Sequence, residues 1–296
     1  MSGNLSHSMR NNYDTHGVSG YYEKVAESYR NPHFGGLKKV LNEFMDRYVT
    51  QEKPTTIRIL DLAAGSGEAT EAFLNWKATR WPSSAAPPAP SPPPAPSTEP
   101  SPTASSSSAL PPPRQPVARP VVRPVVRPNR PSAFAAVPPP TLTITAADPF
   151  TSPAYLARTG LPCLELSFAD VAAGKLPPPP PPSSAAEGTP GTAEPEPYDI
   201  VIISFALHLV ETTSELWALL TELSKRAKWL IVTAPHKKPD VKPSWGWSRW
   251  DPSPKVWGPA EGRGNVGGAG GDGFEIVLDR VRLRVWRSEE HWSAYE

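Results

Sequence analysis

Apolar residues fall in short, nearly unbroken runs between amphipathic stretches, and that alternation predicts the elements. Thr56–Leu62 is a short apolar strand that leads into a helix over 68–76. Thr141–Ala147 (TLTITAA) is rich in β-branched residues and reads as a strand, followed by a short helix over Ser152–Thr159 and a third strand over 163–168. Residues 199–204 (DIVIIS) are almost uniformly apolar, the signature of a central strand covered on both faces. Residues 214–227 form an amphipathic helix with Ser214 as its N-cap; 229–233 (WLIVT) is a fifth strand, and 274–287 is a final edge strand, antiparallel and closing the sheet. Upstream, 21–49 carries Tyr22, Val25, Tyr29, Leu37, Val40, Leu41, Phe44 and Tyr48 at helical spacing, broken at Asn31-Pro32 into two helices. Strands alternating with helices predict an α/β fold whose sheet is mostly parallel, with helices on both faces.

Composition changes this picture in one respect. Of 296 residues 41 are proline, and they concentrate in tracts that cannot bury a core. Residues 82–140 are almost entirely Pro, Ala and Ser with an Arg-Pro-Val-Val repeat, 176–197 are proline-rich, and 259–273 form a glycine-rich loop. The two proline-rich tracts and a polar segment over 1–20 are expected to be disordered, and 259–273 a flexible loop. What remains, 21–81 and 141–296, is one domain with 21–50 as a helical lid. The tracts interrupt connections and spare strands, and lengthening a loop costs little entropy.

A net charge of +1 gives no global pull toward polyanions, and one cysteine, Cys163, excludes an intramolecular disulfide. No run of ~18 apolar residues occurs, so a soluble chain is expected, cytoplasmic, with the nucleus as the alternative.

Candidate chemistry begins at 59–70, ILDLAAGSGEAT. In such sheets ligands bind beyond the carboxyl ends of the strands. Gly65 and Gly67 allow a sharp turn and close backbone approach, and the next helix offers free amides, which favours a nucleotide-like ligand. A dinucleotide loop reads G-x-G-x-x-G; here Thr70 stands in the third position, and Asp61 precedes the loop, where its charge would repel phosphates but attract the cationic groups of S-adenosylmethionine.

The chain resembles the class I S-adenosylmethionine-dependent methyltransferases, a Rossmann-like superfamily whose first motif is an acid followed by alternating glycines. DLAAGSG supplies Asp61, Gly65 and Gly67, with Ala63 in place of the first glycine. The resemblance implies that Asp148, ending the second strand, bonds the donor's ribose, and that Asp170 contacts the adenine amino group with Phe168 and Ala169 near the ring. It also makes 198–210 (YDIVIISFALHLV) the fourth motif and adds Ser204 to the cofactor residues. The Asn/Asp-Pro-Pro-aromatic tetrad of amino-methylating base enzymes is missing at Ser204-Phe205-Ala206-Leu207, which argues against exocyclic base methylation. No metal-ligand spacing occurs.

Two histidines, His208 and His236, are candidate general bases, His208 alternatively a packed residue. Trp245 and Trp247, in a segment dense in tryptophan, are candidates for an acceptor pocket or for a packed cover over the sheet; Tyr29 and His33 are candidate acceptor contacts from the lid, or plain helix packing. Five arginines and no acid over 114–130 suggest a linker, a ligand for an SH3-type or acidic partner, or a contact to RNA phosphates. The expected activity is methyl transfer to an oxygen or nitrogen nucleophile of a small molecule. The alternatives are a protein or RNA methyltransferase, and an inactive methyltransferase-like scaffold acting through its proline-rich insertion.

Overall fold

A computed structural model describes residues 31–82, 138–180, 196–260 and 274–292. The helix expected over 21–30, with Tyr29, lies outside the described residues, as do the polar N-terminus and most of the proline-rich and glycine-rich tracts. The elements run α1 (Phe34–Glu52), β1 (Thr56–Leu62), α2 (Glu68–Arg80), β2 (Thr141–Ala147), α3 (Ser152–Thr159), β3 (Cys163–Leu164), α4 (Phe168–Ala172), β4 (Tyr198–Ser204), α5 (Thr213–Arg226), β5 (Ala227–Ala234), β6 (Trp247–Asp251), β7 (Gly258–Pro259), β8 (Glu275–Leu278) and β9 (Val281–Ser288).

One sheet has the order β3-β2-β1-β4-β5-β9-β6-β7, with β8 beside β9. Strands β1 to β5 are parallel, and the order turns outward from β1 and β4, which opens a crevice beyond their carboxyl ends. The register aligns Leu62 with Ala147 on one side and Ile203 on the other, so the loops after β1, β2 and β4 leave the sheet side by side.

Alternation within the apolar strands serves two cores. Ile59, Ile200, Ile202 and Ile231 face α1 and α2, which contribute Leu41, Phe44, Phe73 and Trp76. Leu60, Leu62, Val201 and Ile203 face α5 through Leu216, Leu219, Leu220 and Leu223. Each such side chain contributes about 1.5–3 kcal/mol when fully buried, and a strand packed on both faces needs the continuous run that β4 carries.

The structure corrects several expectations. Residues 274–287 are a hairpin of two strands, turning at Asp279 and Arg280, both in the left-handed region (φ 48° and 65°), as a tight twisted hairpin requires. β9 is antiparallel to β5 as expected but internal, because β6 adds outside it. The third strand stops at Leu164: Ser167 caps α4, and its capping box with Asp170 turns the backbone into a helix. Thr212, not Ser214, caps α5, in a second capping box with Glu215. Leu176, assigned to a proline tract, is buried, and Tyr198 donates its hydroxyl to Pro177 O at 3.1 Å. No helix among the described residues is long and apolar enough to cross a membrane.

Candidate cofactor site

The loop after β1 is held from both sides. Asp61, fully buried, accepts the Thr70 amide at 3.1 Å and its hydroxyl at 2.8 Å, so the last turn of β1 is tied to the first turn of α2. Across the loop, Asp148 Oδ2 accepts the Gly65 amide at 3.0 Å, while Oδ1 accepts the amides of Phe150 and Thr151 at 2.9 and 3.0 Å. Thr151 Oγ1 donates back to Gly65 O at 2.6 Å. The backbone between these anchors takes three left-handed residues: Ala63 (φ 57°), Gly65 (φ 56°) and Gly67 (φ 90°). Only Ala63 has a side chain to strain, and residues so held cluster where function over-determines the backbone.

Burial pushes the Asp61 carboxyl up to about 7, against the two Thr70 bonds that favour its ionised form. Its second oxygen has no hydrogen-bond partner among the described residues. Asp61 does not line the cavity beside the loop. A half-neutralised, enclosed acid positions the loop and is a weak electrostatic lure, which corrects the expectation that its charge selects the ligand.

The cavity itself has a volume of about 550 Å³, in the range of small-molecule sites. Its floor is the β1 loop, from Leu62 to Gly65, with Glu68 and Ala69 from the start of α2. One wall is Asp148, Pro149 and Phe150 after β2 with Phe168 and Ala169 of α4; the other is Ser204, Phe205 and Ala206 after β4 with Leu209, Val210 and Glu211. Asn31 and Leu37 close the rim from the lid side, and Glu215 and Ala218 from α5. The Ser204 hydroxyl oxygen is buried without a partner among the described residues. Phe205 is a second non-glycine in the left-handed region (φ 57°), its amide donating to Thr233 O at 2.9 Å.

Of the residues singled out in the sequence, Ala63, Gly65, Asp148, Phe168 and Ser204 meet at this cavity. Gly67 is α2's N-cap, and a Cβ there would meet Thr159 Cγ2 at 2.5 Å, so its role is close packing of α2 on α3. Asp170 is turned away: its carboxylate closes the α4 cap on Ser167 and pairs with Lys175 at 2.7 Å, and those bonds, Lys175 first, hold it well below the usual carboxylate range. His208 and His236 are exposed neighbours, ring centroids 5.8 Å apart, and neither lines the cavity. Partial desolvation of the ring and the facing His236 lower the His208 pKa.

Trp245 and Trp247 are core, not pocket; the Trp247 indole donates to Leu220 O at 2.8 Å. His33 stacks on Phe205 at 5.6 Å, behind the cavity wall. Glu68 was not anticipated. It is buried, bonded to Ser66 Oγ at 2.9 Å and paired with Arg158 at 3.0 Å. Its one legible signal is an acid at the first position of a helix, where the dipole favours it.

No family model matches the chain. An uncharacterized protein of Schizosaccharomyces pombe is 33% identical over 290 residues, covering 96% of this chain and 94% of the relative. The chain belongs to that protein's family. Among solved structures it is similar to an O-methyltransferase family protein from Burkholderia thailandensis, with 11% identity and a TM-score of 0.42, covering 94% of this chain and 61% of that one. The chain therefore spans less than two thirds of that protein. It is also similar to magnesium protoporphyrin IX methyltransferase from Synechocystis PCC 6803 with bound S-adenosylmethionine, with 10% identity and a TM-score of 0.38, covering 96% of this chain and all of that one. The mostly parallel sheet with its antiparallel end agrees with the α/β architecture expected from the sequence.

Proposed function

We propose that the chain is an S-adenosylmethionine-dependent methyltransferase acting on a nitrogen or oxygen nucleophile of a small molecule. The observation that carries this reading is the cavity's charge. Asp148 borders the glycine loop with no ion-pair partner among the described residues, Glu68 beside it is paired with Arg158, and no lysine, arginine or histidine lines the cavity among the described residues. A dinucleotide's pyrophosphate would face carboxylates there, whereas a sulfonium and an ammonium would face their counter-charges.

The residues present fit that ligand. A Cβ built on Gly65 meets only Glu68 Oε2, at 3.7 Å, so the glycine leaves open space beside the loop backbone. Asp148 is placed at the end of β2, where a diol would lie, and Phe168 offers an apolar face to a ring. When bound, the ligand supplies an electrophilic methyl group. The chain's part is to hold an acceptor in line with it and to keep water out, and proximity accounts for most of the rate such an enzyme gives. The unpartnered Ser204 hydroxyl, between the loops after β1 and β4, is placed to donate to or accept from either ligand.

Calorimetric titration of the full chain with S-adenosylmethionine, and with Asp148→Ala beside it, tests the reading. Micromolar binding weakened at least tenfold in the variant supports it, and no binding by the wild type removes it.

A further inference from the structure

The charge of the cavity bears on the acceptor as well, and here the inference rests on the donor reading above. Four carboxylates line the cavity: Glu68, Asp148, Glu211 and Glu215. Glu68 is neutralised by Arg158 at 3.0 Å. Asp148 receives three backbone amides, and Glu215 the amide and hydroxyl of Thr212 at 3.2 and 2.9 Å, but neither forms an ion pair among the described residues. Glu211 is exposed at the rim, in the turn between the β4 loop and α5, with no hydrogen bond or ion pair to another described residue. Leu209, Val210, Phe205 and Leu37 add apolar wall, and the buried Ser204 hydroxyl is unsatisfied among the described residues.

We infer that the acceptor is an amine on an apolar carrier, with Glu211 as its charge-selecting contact, and that carboxylate- and phosphate-bearing acceptors are turned away. An anionic group brought to this rim would lose hydration and meet uncompensated carboxylates. An ammonium meets the opposite. The chemistry agrees with the wall. The neutral amine, having given its proton to water, forms a nitrogen–carbon bond to the methyl group as the sulfur–carbon bond breaks and its electron pair stays on sulfur. One positive charge thus passes from sulfur to nitrogen and faces the carboxylates before and after the transfer. An oxyanion nucleophile would cancel that charge and would itself be repelled on entry.

The test uses three probes of one carrier: hexylammonium, hexanoate and hexyl phosphate, titrated calorimetrically into the full chain saturated with S-adenosylhomocysteine. Hexylammonium should bind at least tenfold tighter than either anion, and Glu211→Gln should narrow that preference at least threefold. An equal or reversed preference, undetectable hexylammonium binding, or a preference that Glu211→Gln leaves intact overturns the inference. Failure of S-adenosylhomocysteine to bind counts against the donor reading instead, and the same titrations without it still read the cavity's preference.

Discussion

Gly65 donates its amide to Asp148 Oδ2 at 3.0 Å, so the carboxylate that faces the cavity from β2 also sets the shape of the loop that follows β1. Substituting Asp148 therefore removes a ligand contact and a loop anchor together. Glycine 65 offers a cleaner probe of the ligand. A Cβ there meets only Glu68 Oε2 at 3.7 Å, at a φ of 56°. Gly65→Ala should cost about 1–2 kcal/mol of stability from the left-handed backbone yet weaken S-adenosylmethionine binding by more than tenfold, because the methyl fills the open space. Gly67→Ala reverses the order. Its Cβ would strike Thr159 at 2.5 Å, so the loss appears first in the urea midpoint.

Asp61 separates positioning from charge. Asparagine can accept both Thr70 bonds and carries no charge, so Asp61→Asn should hold donor binding within about threefold, while Asp61→Ala should lose tenfold or more. The same residue predicts a pH dependence. Its carboxyl, pushed up to about 7 by burial, binds a proton more tightly folded than unfolded. The stability it lends is therefore full below about pH 4, its unfolded value, and is lost as pH rises through about 7. Urea unfolding between pH 4 and 8 should show this downward slope in the wild type and a shallower one in Asp61→Asn.

At Ala63 the chain departs from the glycine its family resemblance led one to expect, and the structure shows the cost, a φ of 57° on a residue with a Cβ. Ala63→Gly should raise stability by about 0.5–1 kcal/mol, the left-handed penalty less the extra entropy of an unfolded glycine. Thermal melting checks it. A drop in melting temperature would mean that the methyl packs usefully at the cavity floor.

Trp247 tests the tryptophan segment. Trp247→Phe leaves the Leu220 carbonyl without its indole donor and should cost about 1–3 kcal/mol of stability, with KM for the acceptor unchanged. A raised KM at unchanged stability would restore the pocket reading.

The parallel half of the sheet was legible because β4 and β5 are nearly continuous apolar runs, while β1 and β2 carry short runs of apolar and β-branched residues between turn signals. β6 was not: Trp247-Ser248-Arg249-Trp250-Asp251 mixes charge with aromatics, and its place beside β9 depends on pairing far along the chain. Within the site, Gly65 and Asp148 could be read from motif order. Asp170 shows how two physical readings share one pattern, since Ser167-x-x-Asp170 is also a capping box, and the cap claims the carboxylate. Glu68 escaped because a first-turn acid looks like any helix start until Arg158, 90 residues on, is folded against it.

α2 runs from the cavity back past the sheet before the chain enters the first proline tract, and the chain rejoins the fold at Thr141, where β2 begins. The second tract likewise returns at the start of β4, where Tyr198 reaches Pro177. Both therefore attach at the amino ends of strands, on the edge opposite the ligand loops. Tracts attached there can lengthen, shorten or change composition without displacing the loops that line the cavity, so the two parts of the sequence are free to diverge at separate rates.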